Sequence, residues 1–246
     1  MTTDVHGRWT FITGANRGLG MLAAKFMASR GSNLILHARK PENLEPLFRE
    51  LEPCGVQLEA VAAELSSLES VSYMLAKVDS LGHEVSIVLN NAGVQVAYRP
   101  NFLETPASDF TESFAVNTVA PAVICYHFLP KMLAKGFGRI VNTTSGIAGE
   151  PEQAGYSASK AALDKFTKDL AFGTRGKGVS LNLVDPGWCS TGMGGDRAPN
   201  KPESAIPGIV LPVFLEAAVT GKLFRAQDFA GLPLEAAVQK FGEISV

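Results

Sequence analysis

The chain has 246 residues, enough for one large α/β domain with a sizeable core. Apolar residues make up 46% and charged residues 19%, and the net charge of −2 gives no basic field for nucleic acid or an anionic membrane. No apolar run reads as a membrane span and the N-terminus does not read as a signal peptide; the widely spaced Cys54, Cys125 and Cys189 read as reduced thiols, so the expectation is a cytoplasmic protein without a metal site.

The chain alternates short apolar runs with helix-like segments. "RWTFITG" reads as a strand and "LGMLAAKFMASRG" as a helix closed by Gly31. "NLILHA" is a second strand, followed by a helix that opens on proline, "PENLEPLFRELEPCG". "VQLEAVAAEL" is a third strand, and "SSLESVSYMLAKVDSLG" a helix capped by Ser66 or Ser67 with Glu69 nearby. "VSIVLNNAG" is a fourth strand, and a long helical region runs from about Ser108 to Lys135. "GRIVNTTSG" is a fifth strand, "AGYSASKAALDKFTKDLAFGTRG" a long helix and "VSLNLVDPG" a sixth strand. The stretch from Trp188 to about Pro212 is rich in Gly and Pro and reads as a lid or binding loop. Beyond it, "GKLFRA" is a candidate last strand and "PLEAAVQKF" a short terminal helix.

Strands this apolar are buried on both faces, which implies a parallel sheet with helices on each side. Right-handed crossovers make that sheet doubly wound. With no linker and no internal repeat, residues 1–246 read as one domain. The four histidines, His6, His37, His83 and His127, are scattered and read as surface or packed residues.

"TGANRGLG" follows the first strand and opens the first helix, with glycines at 14, 18 and 20. Glycines there permit a sharp turn and let a pyrophosphate approach the backbone, where N–H groups at the helix start meet its charge. The second strand ends in "HARK": Ala38 stands where a carboxylate would select NAD, and Arg39 follows. Arg17 adds a second cation on the same side. A guanidinium grips a phosphate bidentately, so the pattern favours NADP(H), with NAD(H) the lesser alternative. Farther on, Tyr156 lies four residues before Lys160, one helical turn, which puts a phenol and an ammonium on one helix face.

Taken together, "TGANRGLG", "NNAG", Asn117 in "FAVNTVAP", Ser145 in "GRIVNTTSG", the Tyr156–Lys160 pair and "DPGWCST" resemble the short-chain dehydrogenases/reductases of the compact single-domain type. They occur in the family's order over nearly the whole chain. The resemblance implies a Rossmann-like sheet of about seven strands and a catalytic tetrad of Asn117, Ser145, Tyr156 and Lys160. It implies cofactor contacts from Gly14, Asn16, Arg17, Gly18, Leu19, Gly20, Arg39, Glu64, Leu65, Asn91, Ala92, Gly93, Tyr156, Lys160, Pro186, Gly187 and Thr191. Thr191 would meet the nicotinamide carboxamide, and Asn91 would also brace the fourth strand. Asn117 would shape its helix and keep a water that passes protons to Lys160. "GWCSTGMGG", "PESA" and "TGKLFR" look like a carbonyl-reductase-like subgroup.

Three departures stand out. Glu64 replaces the family's usual Asp after the third strand. The run between Ser145 and Tyr156 is shorter than the family commonly shows, which leaves Thr143 as a fallback for Ser145. The segment after Ile206 is short and does not align securely.

The chemistry implied is interconversion of a carbonyl and an alcohol. Tyr156 would give or take the proton, Ser145 would hold the substrate oxygen, and Lys160 would lower the phenol's pKa and hold the nicotinamide ribose. A unit charge at about 4 Å is worth about 4 kcal/mol at an effective dielectric of 20, enough on that expectation to lower a phenol by two or three units. Tyr98, Phe102, Trp188 and Met193 are candidate walls of an apolar substrate pocket. A sugar-nucleotide epimerase or dehydratase also uses a Tyr–Lys pair, but the glycine spacing and the lack of room for a second domain weigh against it. A non-catalytic nucleotide sensor or scaffold on the same fold is the other alternative. The expected partners are a small carbonyl or alcohol and a second or further copy of the chain, as homodimer or homotetramer, with neither nucleic acid nor membrane.

Overall fold

The computed structural model describes residues 2–244. Seven strands form one parallel sheet: β1 (Trp9–Ile12), β2 (Asn33–Ala38), β3 (Leu58–Ala62), β4 (Val85–Asn90), β5 (Gly138–Thr143), β6 (Val179–Asp185) and β7 (Leu223–Arg225), in the order β3-β2-β1-β4-β5-β6-β7. β1, β4 and β6 are buried nearly throughout, as a sheet covered on both faces requires. The helices are α1 (Gly18–Ser29), α2 (Glu45–Leu51), α3 (Leu68–Ser80), α4 (Ala107–Phe114), α5 (Ala120–Lys135), α6 (Ala154–Thr174), α7 (Pro202–Phe214) and α8 (Leu234–Ile244). One apolar core, containing Met27, Leu34, Leu36, Val210 and Phe224, lies between the sheet and α1, α2, α7 and α8. The other, containing Phe11, Val71, Met74, Ile124 and Phe128, lies under α3, α5 and α6.

Ser67 caps α3, its side chain accepting a hydrogen bond from the Ser70 N–H. The helix expected from Pro41 breaks into 3₁₀ turns on either side of α2, because Pro46 and Pro53 each withhold an N–H donor. The largest difference concerns the expected loop to Pro212. Irregular chain runs only to Lys201, and α7 begins at Pro202 with Pro207 and Pro212 inside it. Burial offsets the two missing backbone donors, since Ile206, Ile209, Val210, Leu211, Val213 and Phe214 are all packed in the core. The long helical region from Ser108 is confirmed but interrupted: a π-turn, Ala115–Val119, joins α4 to α5. By length and hydropathy alone the run Ala107–Lys135 could cross a membrane, yet here α5 packs against β4, β5, α3 and α6.

Buried side-chain bonds fix the carboxyl edge of the sheet. Asn90 Nδ2 donates to Asn142 Oδ1 at 2.8 Å, and Asn142 Nδ2 donates to Thr167 Oγ1 on α6 at 2.8 Å. The strand order switches sides between β1 and β4, which run parallel, so their carboxyl ends open a crevice where such sheets bind ligands.

Candidate active site

The glycine turn leaves β1 and enters α1 beneath this crevice. Gly14 has φ +65° and faces Ala92, so a side chain there would be strained and crowded. A Cβ on Gly20 would overlap the Gly14 carbonyl and lie 2.5 Å from Asn91 Nδ2. Thr13 ties the turn to the end of β4: its hydroxyl accepts from the N–H groups of Asn91 and Ala92, both at 3.0 Å. Asn91 returns the contact, donating from Nδ2 to Thr13 O at 3.2 Å and to Gly14 O at 3.4 Å. The amino end of α1 has no side-chain cap and no acidic residue in its first turn. Its N–H groups and dipole therefore suit a pyrophosphate, and the side-chain-free cradle leaves room for one. The residues present fit a dinucleotide.

At the far side of the crevice, Asn117 sits in the π-turn and is fully buried. Its Oδ1 accepts from Val94 N–H at 2.9 Å, and its Nδ2 donates to Val94 O at 2.9 Å and to Ser159 Oγ at 3.0 Å. The extra residue of a π-turn is what swings this amide toward the loop after β4. Ser159 in turn donates to Tyr156 O at 2.7 Å, so the clamp reaches the first turn of α6.

Lys160 is 4% exposed and donates to Thr143 O at 2.8 Å. A Cβ on Gly93 would lie 3.1 Å from Asn117 Oδ1 and 3.4 Å from Lys160 Nζ, so three sequence-predicted residues converge there. Burial pulls the Lys160 pKa down to about 8, against the opposing pull of Asp164 one turn later. Tyr156 is half-buried beside it, with Nζ 5.9 Å from its ring centroid. The expectation of a lowered phenol is overturned in the protein alone. Burial raises the Tyr156 pKa, a hydrogen bond from Ser145 opposes the rise, and the Asp185 carboxylate adds to it. The ammonium donates to Thr143 O, and Lys160 is not among the groups that shift the phenol.

Ser145 also resolves the spacing departure. The shortened loop still brings its hydroxyl to the phenol, whereas Thr143 meets the pair through its carbonyl, bonded to Lys160. Glu64 does not extend as a free carboxylate: its Oε1 accepts from Ser66 N–H at 3.2 Å and from the Ser66 hydroxyl at 3.0 Å. The neighbouring Leu65 is buried, while Arg39 is exposed at the end of β2. Asn16 and Leu19 are half-buried in the glycine turn, and Arg17 is exposed there. A Cβ on Gly192 would lie 2.9 Å from an Arg17 terminal nitrogen, so the guanidinium sits against the lid.

The wall after β6 is braced from behind. Gln227 Nε2 donates to Pro186 O at 2.7 Å, and Ser204 on α7 donates to Gln227 Oε1 at 2.9 Å. Thr191 Oγ1 accepts from the N–H groups of Met193 and Gly194 at 3.3 and 3.2 Å, leaving its own proton free to donate. Trp188 Nε1 donates to Gly194 O at 2.8 Å, folding the loop on itself. Trp188, Met193, Tyr98 and Phe102 remain exposed. A separate depression of about 330 Å³ lies at the opposite edge of the sheet, between α3 and α5, and includes none of these residues.

Sequence reasoning passed over Thr13, Gln227 and the function of Asp185. Asp185 Oδ1 accepts from Gly187 N–H at 2.9 Å, and its Oδ2 lies 2.5 Å from a Cβ built on Gly146. The carboxylate therefore borders the loop that carries Ser145. Asp185→Asn keeps the acceptor for Gly187 and removes the charge that raises the phenol. The pKa of the Tyr156 phenol is expected to fall in this variant, read by spectrophotometric titration against wild type. An unmoved profile would detach Asp185 from the phenol.

The family model for short chain dehydrogenase matches residues 8–202. The chain is 32% identical over 196 residues to a 3-oxoacyl-[acyl-carrier-protein] reductase of Aquifex aeolicus, covering 78% of each. It is 30% identical over 191 residues to a human protein named inactive hydroxysteroid dehydrogenase-like protein 1, covering 76% of this chain and 58% of that one. Among solved structures, a metagenomic short-chain oxidoreductase in complex with NADP is 31% identical with a TM-score of 0.69, over 75% of this chain and 84% of that one.

Proposed function

We propose, from the premise that this chain belongs to the short-chain dehydrogenase family, that it is an NADP(H)-dependent oxidoreductase of carbonyl-reductase type. The observation that carries this reading is the meeting of Tyr156, Ser145 and Lys160 at the mouth of a crevice whose other wall is the glycine turn. Gly14, Gly18, Gly20 and the α1 amino end would hold the pyrophosphate, Asn91 to Gly93 the ribose side, and Pro186, Gly187 and Thr191 the nicotinamide. Bound there, the nicotinamide supplies or accepts the hydride.

The chain's own groups handle the proton. Tyr156 presents its O–H to the substrate oxygen, and Ser145 donates a second hydrogen bond to the same atom. Lys160 anchors its ammonium on Thr143 O and would offer its remaining N–H groups to the nicotinamide ribose. Asn117 holds the loop at Val94, and so fixes Gly93 against Lys160. The exposed apolar side chains Trp188, Met193, Tyr98 and Phe102, on the segments after β6 and β4, would suit an uncharged carbonyl substrate of largely apolar surface. The exposed Tyr126 on α5 and Phe172 on α6 are faces that a second copy would cover in a homodimer or homotetramer.

The direct test is to mix the protein with NADPH and a panel of ketones and aldehydes and follow the nicotinamide absorbance. The relative named inactive marks the competing reading, a non-catalytic nucleotide-binding protein. Silence across the panel with NADPH bound would favour it. For the choice of cofactor, Arg39→Asp is expected to shift the NADPH/NADH ratio of kcat/KM toward NADH by about tenfold or more, through loss of a cation and gain of a repulsive charge. An unchanged ratio would exclude Arg39 as the 2′-phosphate partner.

A further inference from the structure

We propose that His37 is a positioning residue for the dinucleotide cradle, and that it holds the cradle in register only while its ring is neutral. The inference rests on the reading that this crevice binds NADP(H). His37 lies in β2 and is 2% exposed. Its Nδ1 is 3.2 Å from the Gly14 backbone nitrogen, and its Nε2 is 3.1 Å from the Ala63 carbonyl oxygen. A backbone N–H only donates and a carbonyl only accepts. Nδ1 must therefore offer a lone pair, and Nε2 must carry the proton. The two partners select one neutral tautomer.

Those partners belong to the two halves of the cradle. Gly14 begins the tight glycine turn, while Ala63 immediately precedes Glu64 and Leu65 on the adenine side of the proposed site. One imidazole thus sets the distance between the pyrophosphate turn and the adenine wall. The backbone beside it is fastened as well, with Ala15 N–H donating to His37 O at 2.9 Å and Ala63 N–H donating to Ala38 O at 3.3 Å. Side-chain and main-chain bonds together leave the glycine turn a single position relative to β2 and β3.

Protonation would place an N–H on Nδ1 facing the N–H of Gly14, and two donors at that separation repel. The charged ring is already disfavoured: burial lowers the His37 pKa from 6.5, while the bond to Ala63 and the Glu64 carboxylate act the other way. On its other flank, β1 brings Trp9, Thr10, Phe11 and Ile12, none of which titrates near neutrality. Arg17 of the glycine turn and Arg39 and Lys40 at the end of β2 are exposed to solvent. Because the folded-state pKa lies below the unfolded value of 6.5, the unfolded chain binds more protons in that window. Stability of the ligand-free protein is therefore complete above 6.5 and falls as the pH drops below it.

The test compares wild type with His37→Asn, which keeps an acceptor near Nδ1, and His37→Gln, which keeps a donor near Nε2. NADPH dissociation constants are measured by fluorescence titration from about pH 5.5 to about pH 7.5, across the histidine range. His37→Asn keeps the Gly14 bond but not the Ala63 bond, so it is expected to bind more weakly than wild type at the upper pH and to lose less affinity on acidification, since the 2′-phosphate titrates alike in both and only the ring differs. His37→Gln is expected to bind about fivefold to tenfold more weakly at the upper pH, the value of one lost hydrogen bond. Equal affinities with parallel pH profiles in all three proteins would reduce His37 to core packing and overturn the proposal. If His37→Gln does not fold, the pH comparison between wild type and His37→Asn decides alone. Absence of NADPH binding by wild type at every pH is a different result, which removes the dinucleotide reading and this proposal with it.

Discussion

Tyr156→Phe is expected to lower turnover by roughly 10²–10⁴-fold, the usual worth of a positioned proton donor, while leaving the NADPH dissociation constant within about twofold of wild type. The asymmetry follows from what the phenol touches. Its oxygen faces Ser145 and the open crevice, whereas its ring packs beside Lys160 at the start of α6. Phenylalanine keeps the ring and removes only the oxygen. Burial and Asp185 hold the phenol above its ordinary pKa of 10, so at neutral pH it is protonated and ready to donate to an alkoxide. In that state the phenol can give a proton, which is the role the proposed carbonyl reduction asks of it. Alcohol oxidation needs the phenolate and should rise with pH well past neutrality, unless the positive charge of an oxidised nicotinamide brings the pKa down. Steady-state rates in both directions, beside a fluorescence titration of NADPH, check the expectation. Turnover that survives the substitution would remove Tyr156 from the proton path.

The parts of this site that could be read in the sequence are those whose physics is local. A glycine turn between a strand and a helix, or a phenol and an ammonium one helical turn apart, keeps its meaning within a few residues. A doubly wound parallel sheet was likewise expected from strands apolar on both faces with helices between them, and the order β3-β2-β1-β4-β5-β6-β7 is one such sheet. What escaped depends on distant partners. Nothing near His37 announces that Gly14 and Ala63 will close on its two nitrogens. Asn142 looks like an ordinary strand residue until Asn90 and Thr167 arrive from other elements. α7 was hidden because Pro207 and Pro212 argue against a helix locally, whereas the burial that sustains it comes from α1, α8 and the segment after β7. The phenol's pKa went wrong for a related reason. Spacing places Lys160 one turn from Tyr156, but only the fold shows the ammonium donating to Thr143 O and the phenol partly withdrawn from water.

Lys160→Met is expected to abolish turnover and at the same time make the ligand-free protein more stable. An ammonium that is 4% exposed, with a pKa drawn down to about 8 from 10.5, is charged at neutral pH in a place that disfavours its charge. That difference corresponds to an unfavourable contribution of about 3 kcal/mol at most. Methionine fills similar volume without the charge, but it leaves Thr143 O unpaired, which costs about 1–2 kcal/mol. The net gain is about 1–2 kcal/mol, or a rise in Tm of roughly 2–8 °C for a chain of this size. The sign has its own pH signature. Because the folded-state pKa lies below the unfolded one, the penalty is complete below about 8 and fades toward 10.5, so the stability gap between variant and wild type should shrink over that range. A protein keeps such a destabilising group where chemistry needs it, and on the function proposed above that need is the ribose side of the cofactor and the phenol beside it. Thermal melts at several pH values, paired with rates, test both halves. A variant less stable than wild type at neutral pH, with a gap indifferent to pH, would mean that Lys160 is there to support the fold.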